Sequence, residues 1–463
     1  MNIMIQNHTT SILDPTEDVA LDLRRRLSFV DKSKQYQLKR MSKSVWSRNS
    51  PAFDQVKAQV NQTLLTEKDG VLSFPSGLLF QVDEIISSIS RVDSRKDTGT
   101  KIALPWKKKP YDLREYQQEA VDLFSTNWRG LINLATGLGK TLVAVYAIRA
   151  VGKKTLVVVP NKSIGLQFFE ELASAFGRER IGFYGDGRKS IKDITIGIAP
   201  SVCNHAEEFK KADLGLIIFD ETHHIAADTF YAISDLLGDT GKIFGLTATD
   251  FRADGKDLMI AAGCGNTLIR RDVVWGVENG WLAKPYFIVR EVKTTGRNYR
   301  DNKLNNYKAH VLNCDLMKKQ IEDDARKFMG AGKRILILVD EIAHGEELTK
   351  NLGIPFAQGE DKKSQEYIDQ FNKKMVLGLI GTDGKIGEGV DTRPVEVLIV
   401  ANFVASKGAV LQAVGRGLRK IDGKETCLIL DYVPLGSEML TRHAHQRISY
   451  YKEITDKVKV IPA

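Results

Sequence analysis

Short apolar runs that end in polar or glycine-rich loops recur through the middle of the chain. In the first series these runs are Gly130–Ala135, Thr155–Pro160, Ile194–Ile198, Leu214–Phe219 and Ile243–Thr249. Continuous apolar runs of this length, separated by helical patterns such as Thr141–Ala150, are typical of buried strands in a parallel sheet. The pattern predicts an α/β domain over residues 110–284.

A second series of the same kind begins after residue 284. Its apolar runs are Arg334–Val339, Met375–Ile380, Val395–Val400 and Thr426–Leu430, the last of which is expected to end the series. The segment Gly296–Asn306 is polar and contains four Asn residues, so we expect a loop inserted early in this domain. The alternation of strands and helices predicts a second parallel-sheet domain over residues 285–463.

The first 109 residues follow a different pattern, which predicts a small α+β domain. Residues 1–20 are polar and are expected to be mobile. Gly70–Phe80 predicts two short strands around a Pro-Ser-Gly turn, with a helix over Val82–Ser90. The charged stretch Arg91–Lys109 is expected to be a linker.

Positive charge is concentrated in this N-terminal region. The chain carries 67 Lys and Arg against 58 Asp and Glu, which gives +9, and residues 1–110 contribute 18 − 12 = +6 of that charge. Such asymmetry indicates a polyanionic partner, and it favours a nucleic acid over a membrane surface. The basic side chains between residues 22 and 57 are interleaved with Phe29, Tyr36, Trp46 and Phe53.

Two interpretations of this basic and aromatic stretch stay open. Basic side chains neutralise phosphates, and aromatic rings stack on bases or wedge a junction. A solvated basic face over an ordinary core would give the same composition. The predicted nucleic-acid contacts here are Arg24, Arg25 and Arg26.

The cysteines and the N-terminus give no sign of secretion. Cys203, Cys264, Cys314 and Cys427 are scattered without a CxxC pair, which favours reduced thiols in a cytosolic protein and no zinc site or disulfide framework. The first residues have no apolar signal region, and no run approaches 18 apolar residues. We therefore expect a cytoplasmic protein with no membrane span.

The loop after the first apolar run has the composition of a phosphate-binding loop. In Asn133–Thr141, Gly137 and Gly139 let backbone N–H groups face an anion at a helix N-terminus. Lys140 can reach the β- and γ-phosphates, and the Thr141 hydroxyl can hold Mg²⁺. The strict GxxxxGK[ST] pattern fails at Leu134, so a plain strand–turn–helix connection stays an alternative for this motif taken alone.

Two adjacent carboxylates follow the fourth run of the first series. Asp220 at the tip of a buried strand can orient Mg²⁺, and Glu221 can polarise the attacking water. Adjacent carboxylates at a buried strand end are costly without a bound cation. His223 and His224 are poor candidates for a shared metal ion because adjacent side chains rarely converge.

Weaker signals flank these motifs. Arg114 and Gln117 precede the phosphate loop by about twenty residues, and a Gln amide can both donate to and accept from adenine. Lys162, Ser163 and Ser201 follow two other strands, at the edge where ligands bind in such sheets, and are candidates for nucleic-acid phosphate contacts. A plain strand–helix connection would also explain either loop.

In the second domain, Gln412, Arg416 and Arg419 are spaced to share one helix face. Two guanidinium groups on one face suit a γ-phosphate that is contacted from the opposite domain, as an arginine finger does. A surface helix with a salt-bridged face is the alternative interpretation.

Taken in order, the motifs resemble those of superfamily 2 helicases. The resemblance rests on Arg-Glu-Tyr-Gln117, Ala-Thr-Gly-Leu-Gly-Lys-Thr141, Asp-Glu-Thr-His223, Thr-Ala-Thr249, Gly-Glu-Gly-Val-Asp391 and Gln-Ala-Val-Gly-Arg-Gly-Leu-Arg419. It covers residues 111 to about 435. It implies two tandem RecA-like domains with ATP in the cleft and nucleic acid across both, preceded by the basic N-terminal domain.

The resemblance also implies roles for single residues. It implies adenine recognition at Gln117, phosphate and Mg²⁺ binding by the loop from Thr136 to Thr141, and metal and water activation at Asp220 and Glu221. In the second domain it implies nucleotide contacts at Gly389 and Asp391, a position nearer the nucleic acid for Thr382, and γ-phosphate contacts for Arg416 and Arg419.

Within the superfamily, the chain is similar to the UvsW-like branch-migration helicases of phages. The similarity rests on the Phe-Arg-x-Asp-Gly stretch that ends at Gly255, the small N-terminal domain and the compact length. Asp250 stands directly after Thr-Ala-Thr249, where many members of the superfamily carry Pro. This finer resemblance implies ATP-dependent remodelling of branched DNA, such as Holliday junctions, forks and D-loops, in the host cytoplasm, with a monomer possible. A duplex translocase that serves a nuclease and an ATP-gated clamp are the alternatives.

Overall fold

The computed structural model describes residues 1–42, 50–222, 227–248, 256–300, 302–359, 361, 363–382, 386, 394–421 and 423–463. They form two compact units. The first contains Met1–Leu134 and Gly139–Arg270, and the second contains Ala135–Leu138 and Arg271–Ala463. The first unit thus holds the N-terminal region and most of the first predicted α/β domain, while residues 135–138 and 271–284 of that predicted domain belong to the second unit.

The N-terminal region has its own small sheet and helices. Its strands are β1 (Asn2–Ile5), β2 (Thr9–Leu13), β3 (Ser28–Val30), β4 (Asn61–Thr63), β5 (Thr66–Lys68), β6 (Val71–Pro75) and β7 (Ser90–Asp93). Its helices are α1 (Glu17–Arg26), α2 (Lys32–Met41), α3 (Pro51–Ala58) and α4 (Leu79–Ile86). In the part of the chain that is described, the main sheet has the order β5-β6-β2-β1-β7, and β3 pairs with β4 separately. The predicted α+β class is confirmed.

Three local expectations for this region were wrong. Residues 1–20 are not mobile, because Ile3, Ile5 and Ile12 alternate into the core of the sheet. The segment after β6 is not a second strand. It turns through a 3₁₀-helix at Ser76–Leu78 into α4. The expected linker begins with β7, which pairs in parallel with β1.

The first α/β domain has the predicted parallel sheet. Its strands are β8 (Arg129–Leu134), β9 (Thr155–Val159), β10 (Ile181–Gly185), β11 (Arg188–Lys189), β12 (Ile194–Ile198), β13 (Leu216–Asp220), β14 (Lys242–Thr247) and β15 (Thr267–Arg271). Its helices are α5 (Glu115–Thr126), α6 (Lys140–Val151), α7 (Lys162–Phe176), α8 (Ala199–Asn204), α9 (Ala206–Lys210), α10 (Ala227–Leu236) and α11 (Asp257–Cys264). The described strands have the order β11-β10-β12-β9-β13-β14-β8-β15. The strands from β10 through β8 in this order pair in parallel, so their carboxyl ends share one edge.

The second unit is built on another parallel sheet. Its strands are β16 (Lys284–Val292), β17 (Ile335–Val339), β18 (Phe356–Ala357), β19 (Gly378–Thr382), β20 (Val397–Ala401), β21 (Thr426–Pro434) and β22 (Val458–Ile461). Its helices are α12 (Val273–Glu278), α13 (Lys303–Tyr307), α14 (Asp315–Gly330), α15 (Ile342–Leu352), α16 (Ser364–Asn372), α17 (Lys407–Gly417) and α18 (Glu438–Ile454). The order among the described strands is β18-β19-β17-β20-β21-β16-β22. The fold is the predicted pair of RecA-like parallel sheets.

Two expectations for this unit needed correction. The strand series does not end at Leu430, because β22 adds to the sheet edge beside β16. The polar segment after β16 is not only a loop. It contains α13 and continues as a π-helix over Lys308–Leu312, since the apolar side chains of Tyr307 and Val311 are buried. Among the described residues, no helix has the length and apolar character needed to cross a membrane.

Candidate nucleotide and nucleic-acid site

The loop between β8 and α6 has the backbone that a phosphate cradle needs. Gly137 and Gly139 have φ values of 93° and 86°, in the left-handed region that favours glycine. A Cβ at Gly139 would lie 2.4 Å from Nε2 of Gln117. Both positions therefore favour glycine. Because glycine has no Cβ, an anion can approach the backbone N–H groups at the start of α6.

Sheet register brings the acid pair to the same edge as this loop. Asp220 at the end of β13 stands opposite Leu246 of β14, and Thr247 of β14 stands opposite Asn133 of β8. Asp220 is 5% exposed. Glu221 has a φ of 46°, which a residue with a Cβ adopts rarely and which is typical of functional sites.

Lys140 closes the arrangement. Its Nζ lies 3.1 Å from Oε1 of Glu221 and donates to the carbonyl of Leu134 at 3.4 Å. Burial, and then the neighbouring Glu221 carboxylate, raises the pKa of Asp220 to about 8, although Lys140 opposes the shift. One ammonium thus faces two carboxylates that are largely removed from water.

These residues fit a magnesium nucleotide. A divalent cation would supply the positive charge that the buried carboxylates lack, and the nucleotide phosphates would occupy the cradle. Asp220 and the Thr141 hydroxyl are the side chains that would hold the ion, with phosphate oxygens and water completing its shell. Within the described residues, no cluster of three or more His, Cys, Asp or Glu side chains could hold a metal by itself.

The buried Asp220 should destabilise the protein when no metal is bound. An acid whose pKa rises from 3.8 in the unfolded chain to about 8 in the folded protein makes folding less favourable as pH rises between those values. We expect Asp220→Asn to raise the melting temperature by roughly 2–4 °C or more at pH 8 in EDTA, and by less at pH 5. Thermal unfolding at both pH values checks this, with Glu207→Gln as the exposed control. A lower melting temperature at pH 8 would contradict it.

Gln117 lies against the phosphate loop. It is 3% exposed, and its Oε1 accepts a hydrogen bond from the backbone N–H of Arg114 at 3.0 Å, which caps the start of α5. Its Nε2 faces Gly139. The Arg114 guanidinium donates to the Tyr116 hydroxyl at 3.1 Å. Adenine recognition by this pair stays a prediction.

The predicted nucleic-acid contacts of the first sheet lie on the same edge. Lys162 and Ser163 begin α7 after β9, and Ser201 lies in α8 after β12, which pairs with β9. Lys162 Nζ is 2.5 Å from Oδ2 of Asp186, in a pair that is about half exposed. An exposed pair of this kind contributes little to stability and can exchange its carboxylate for a phosphate.

In the second unit, the structure separates the two predicted fingers. Arg416 lies in the last turn of α17 and is 3% exposed. Arg419 is not on that helix face, because α17 ends at Gly417 and Arg419 forms an antiparallel bridge with Leu282. Thr382 ends β19 at the carboxyl edge of this sheet, opposite Val339.

Some predicted positions lie outside the described residues. They are Gly389, Asp391, Thr249, Asp250, His223 and His224, together with Trp46 of the N-terminal region. Their roles stay predictions.

Each arginine of the predicted N-terminal cluster has an acidic partner. Arg24 lies 2.5 Å from Glu67, Arg26 lies 3.0 Å from Glu84 and Arg25 lies 3.7 Å from Asp22. The neighbouring helix α2 differs, since its sequence contains Lys32, Lys34, Lys39 and Arg40 without any acid. None of its residues is buried, and Tyr36 is 62% exposed. The basic side chains of α2 thus face solvent.

Known proteins are similar to large parts of this chain. Residues 110–252 match the family model of the type III restriction enzyme, res subunit. The chain is 30% identical over 322 residues to a protein from Halobacterium salinarum named putative DNA 3'-5' helicase Rad25, covering 66% of this chain and 52% of that protein. It is 27% identical over 374 residues to the DNA 3'-5' translocase XPB2 of Sulfurisphaera tokodaii, covering 71% and 83%. This chain thus spans about half the length of the Halobacterium relative.

Solved structures support the fold. A fragment of a putative HsdR subunit of a type I restriction enzyme from Vibrio vulnificus aligns with a TM-score of 0.55 at 20% identity, covering 76% of this chain and 70% of that one. Dbp5 of S. cerevisiae aligns with a TM-score of 0.54 at 13% identity, covering 75% and 89%. T4 UvsW covers 100% of both chains at 16% identity, but with a TM-score of 0.46. The similarity to UvsW-like helicases therefore stays a prediction.

Proposed function

We propose that the protein is an ATP-dependent DNA helicase that remodels branched DNA. The observation that carries the ATP-driven part is the pair of Lys140 and Glu221 beside the buried Asp220, at a sheet edge that also holds a left-handed glycine loop. Lys140 would bind the β- and γ-phosphates, Asp220 and Thr141 would hold Mg²⁺, and Glu221 would orient the attacking water. A bound Mg²⁺ would supply positive charge against the phosphates.

Similarity over two thirds of the chain to proteins named DNA 3'-5' helicases supports DNA as the polymer that is moved. The preference for branched DNA is supported by the N-terminal region. Its α2 presents basic side chains and an exposed Tyr36, which suit phosphates and an unstacked base at a junction. Arg416 and Arg419 would complete the ATP site as fingers. A cytoplasmic location and a phage origin are part of the same proposal.

A duplex translocase that serves a nuclease is the second candidate. It is favoured by the match of residues 110–252 to a restriction-enzyme subunit. Such a motor would hydrolyse ATP on linear duplex without separating strands. An ATP-gated clamp would bind DNA without separating its strands and without hydrolysis that DNA stimulates.

One experiment distinguishes these functions. ATP hydrolysis by the purified protein is measured with no DNA, single strands, linear duplex and a four-way junction, and the junction sample is run on a gel. The proposal expects the strongest stimulation by the junction and its ATP-dependent resolution into duplex arms. Strong stimulation by linear duplex with intact strands would favour the translocase, and DNA binding without stimulated hydrolysis would favour the clamp.

The N-terminal basic residues should make the affinity for DNA dependent on salt. We expect replacement of Lys32, Lys34, Lys39 and Arg40 by Gln to flatten the plot of log affinity against log salt by about 0.9 for each duplex phosphate contact that is lost. Fluorescence anisotropy at four salt concentrations measures the slope. Replacement of Arg24, Arg25 and Arg26 by Gln is the comparison, and we expect a smaller change because each already has a carboxylate partner. An unchanged slope in the α2 variant would exclude α2 as the phosphate contact.

A further inference from the structure

A buried lysine connects α2 with the motor part of the first unit. Nζ of Lys256 lies 3.1 Å from Oδ2 of Asp31 and 2.9 Å from Oδ2 of Asp228. The side chains of Lys256 and Asp31 are 8% and 0% exposed, whereas that of Asp228 is 71% exposed. The pair of Lys256 and Asp31 is therefore an ion pair largely out of water. Loss of Lys256 would leave the buried Asp31 carboxylate without this counterion, whereas loss of Asp31 would still leave Lys256 paired with Asp228.

The same carboxylate holds the start of α2. Oδ1 of Asp31 accepts hydrogen bonds from the backbone N–H groups of Ser33 at 2.9 Å and Lys34 at 3.1 Å, as an N-cap residue does. Asp31 therefore binds α2 through one oxygen and Lys256 through the other. Burial alone would raise the pKa of Asp31, but hydrogen bonds from the Ser33 hydroxyl, at 2.6 Å, and from the Lys34 backbone N–H, together with Lys256, hold its pKa below the usual value. Burial would lower the pKa of Lys256, but its carboxylate partners raise it, so both groups are charged.

At its other end, the lysine lies at the start of two helices that follow the catalytic motifs in the chain. Lys256 is the N-cap residue of α11 and stands seven residues after Thr249 of the Thr-Ala-Thr motif. Asp228 lies in the first turn of α10 and stands seven residues after Glu221. The ammonium thus links the first turns of α10 and α11 with the first turn of α2.

Other contacts also join the N-terminal region to α10 and α11. A Cβ on Gly77 would lie 2.3 Å from the carbonyl oxygen of Ala262 in α11, so the N-terminal region packs there backbone against backbone. His8 also pairs with Asp235 near the end of α10 at 2.8 Å. The contacts of Gly77 and His8 hold the N-terminal sheet on α10 and α11. The pair of Lys256 and Asp31 differs from them because Asp31 is the N-cap residue of α2.

We propose that the pair of Asp31 and Lys256 couples DNA binding on α2 to ATP turnover at Glu221. Lys256 is a positioning residue: DNA on α2 fixes Asp31, which fixes Lys256 and the starts of α10 and α11. These two helices follow the catalytic motifs in the chain. This coupling rests on the proposed function, because it presupposes an ATPase that DNA stimulates.

The test compares hydrolysis with and without a four-way junction in four variants. Asp31→Asn keeps the N-cap acceptor and removes the charge, Lys256→Met removes the ammonium, Lys256→Arg restores a cation, and His8→Gln is the matched control that breaks a different contact with α10. In Asp31→Asn and Lys256→Met we expect the DNA-stimulated kcat to fall about tenfold, as is typical of a lost coupling between two sites. The kcat without DNA, the KM for ATP and the Kd for the junction should each stay within about twofold.

Further outcomes separate coupling from folding. Lys256→Arg should recover most of the stimulation, His8→Gln should retain it, and the double variant Asp31→Asn with Lys256→Met should be no worse than either single variant. Full stimulation in Asp31→Asn and Lys256→Met would overturn the coupling. Equal loss of the basal and stimulated rates, with a lower melting temperature, would show a structural role instead. If the native protein itself shows no DNA-stimulated hydrolysis, the proposed function fails rather than the coupling.

Discussion

Glu221→Gln should reduce ATP turnover by at least about 100-fold while the protein still binds ATP, because the amide cannot polarise the attacking water. Lys140→Ala should also abolish turnover and in addition weaken ATP binding, since its Nζ is the charge that we propose meets the phosphates. The two side chains lie 3.1 Å apart, so each single change also leaves the other without this partner. Steady-state hydrolysis and binding of a fluorescent ATP analogue separate the two effects.

The controls for this experiment come from the same unit. Glu207→Gln removes an exposed carboxylate that pairs with Lys210, and we expect an unchanged rate. Affinity for DNA should persist in both site variants, because neither residue belongs to the predicted DNA surface. Turnover close to that of the native protein in Glu221→Gln would refute the assignment of the acid pair.

Arg416→Ala should lower kcat on the order of 10³-fold or more if the guanidinium stabilises charge on the γ-phosphate in the transition state. Arg416→Lys should recover little of that loss, because an ammonium cannot reproduce the planar fork of donors. The rate is measured at saturating ATP and junction DNA, so that weaker binding does not hide the change.

A neighbouring cation provides the control for Arg416. Lys420 pairs with Glu425 at 2.9 Å and lies just beyond the end of α17, so Lys420→Ala removes one positive charge close by in the chain. We expect less than a twofold change for it, about the size of ordinary surface effects. A loss under about tenfold in Arg416→Ala would reject a finger role and leave Arg416 as a packing residue of α17.

The sequence was informative where local chemistry determines structure. The continuous apolar runs that form β9, β13 and β17 are buried along their whole length. Short apolar runs of this kind are typical of strands in a parallel sheet that is covered on both faces. The glycines of the phosphate loop were also predictable, because their left-handed φ values follow from the need for close backbone approach.

Other features depend on contacts between distant segments, which local patterns do not encode. Residues 1–20 look polar, but their alternating Ile positions form part of a core only when β6 extends the sheet and Leu23, Val82 and Ile86 of α1 and α4 cover its face. Arg419 continues the spacing of a helix, yet its bridge with Leu282, far away in the chain, ends that helix first. The contact between Lys256 and Asp31 spans more than 200 residues and left no signal in either segment.

Because α2 buries none of its side chains, its sequence is almost free of the demands of folding. Substitutions at such positions usually change stability by no more than about 0.5 kcal/mol. A lineage could therefore exchange its lysines or Tyr36 and meet new DNA structures without first acquiring compensating mutations in the core. If the proposed function holds, the segment that selects the DNA can change in sequence independently of the segments that hydrolyse ATP.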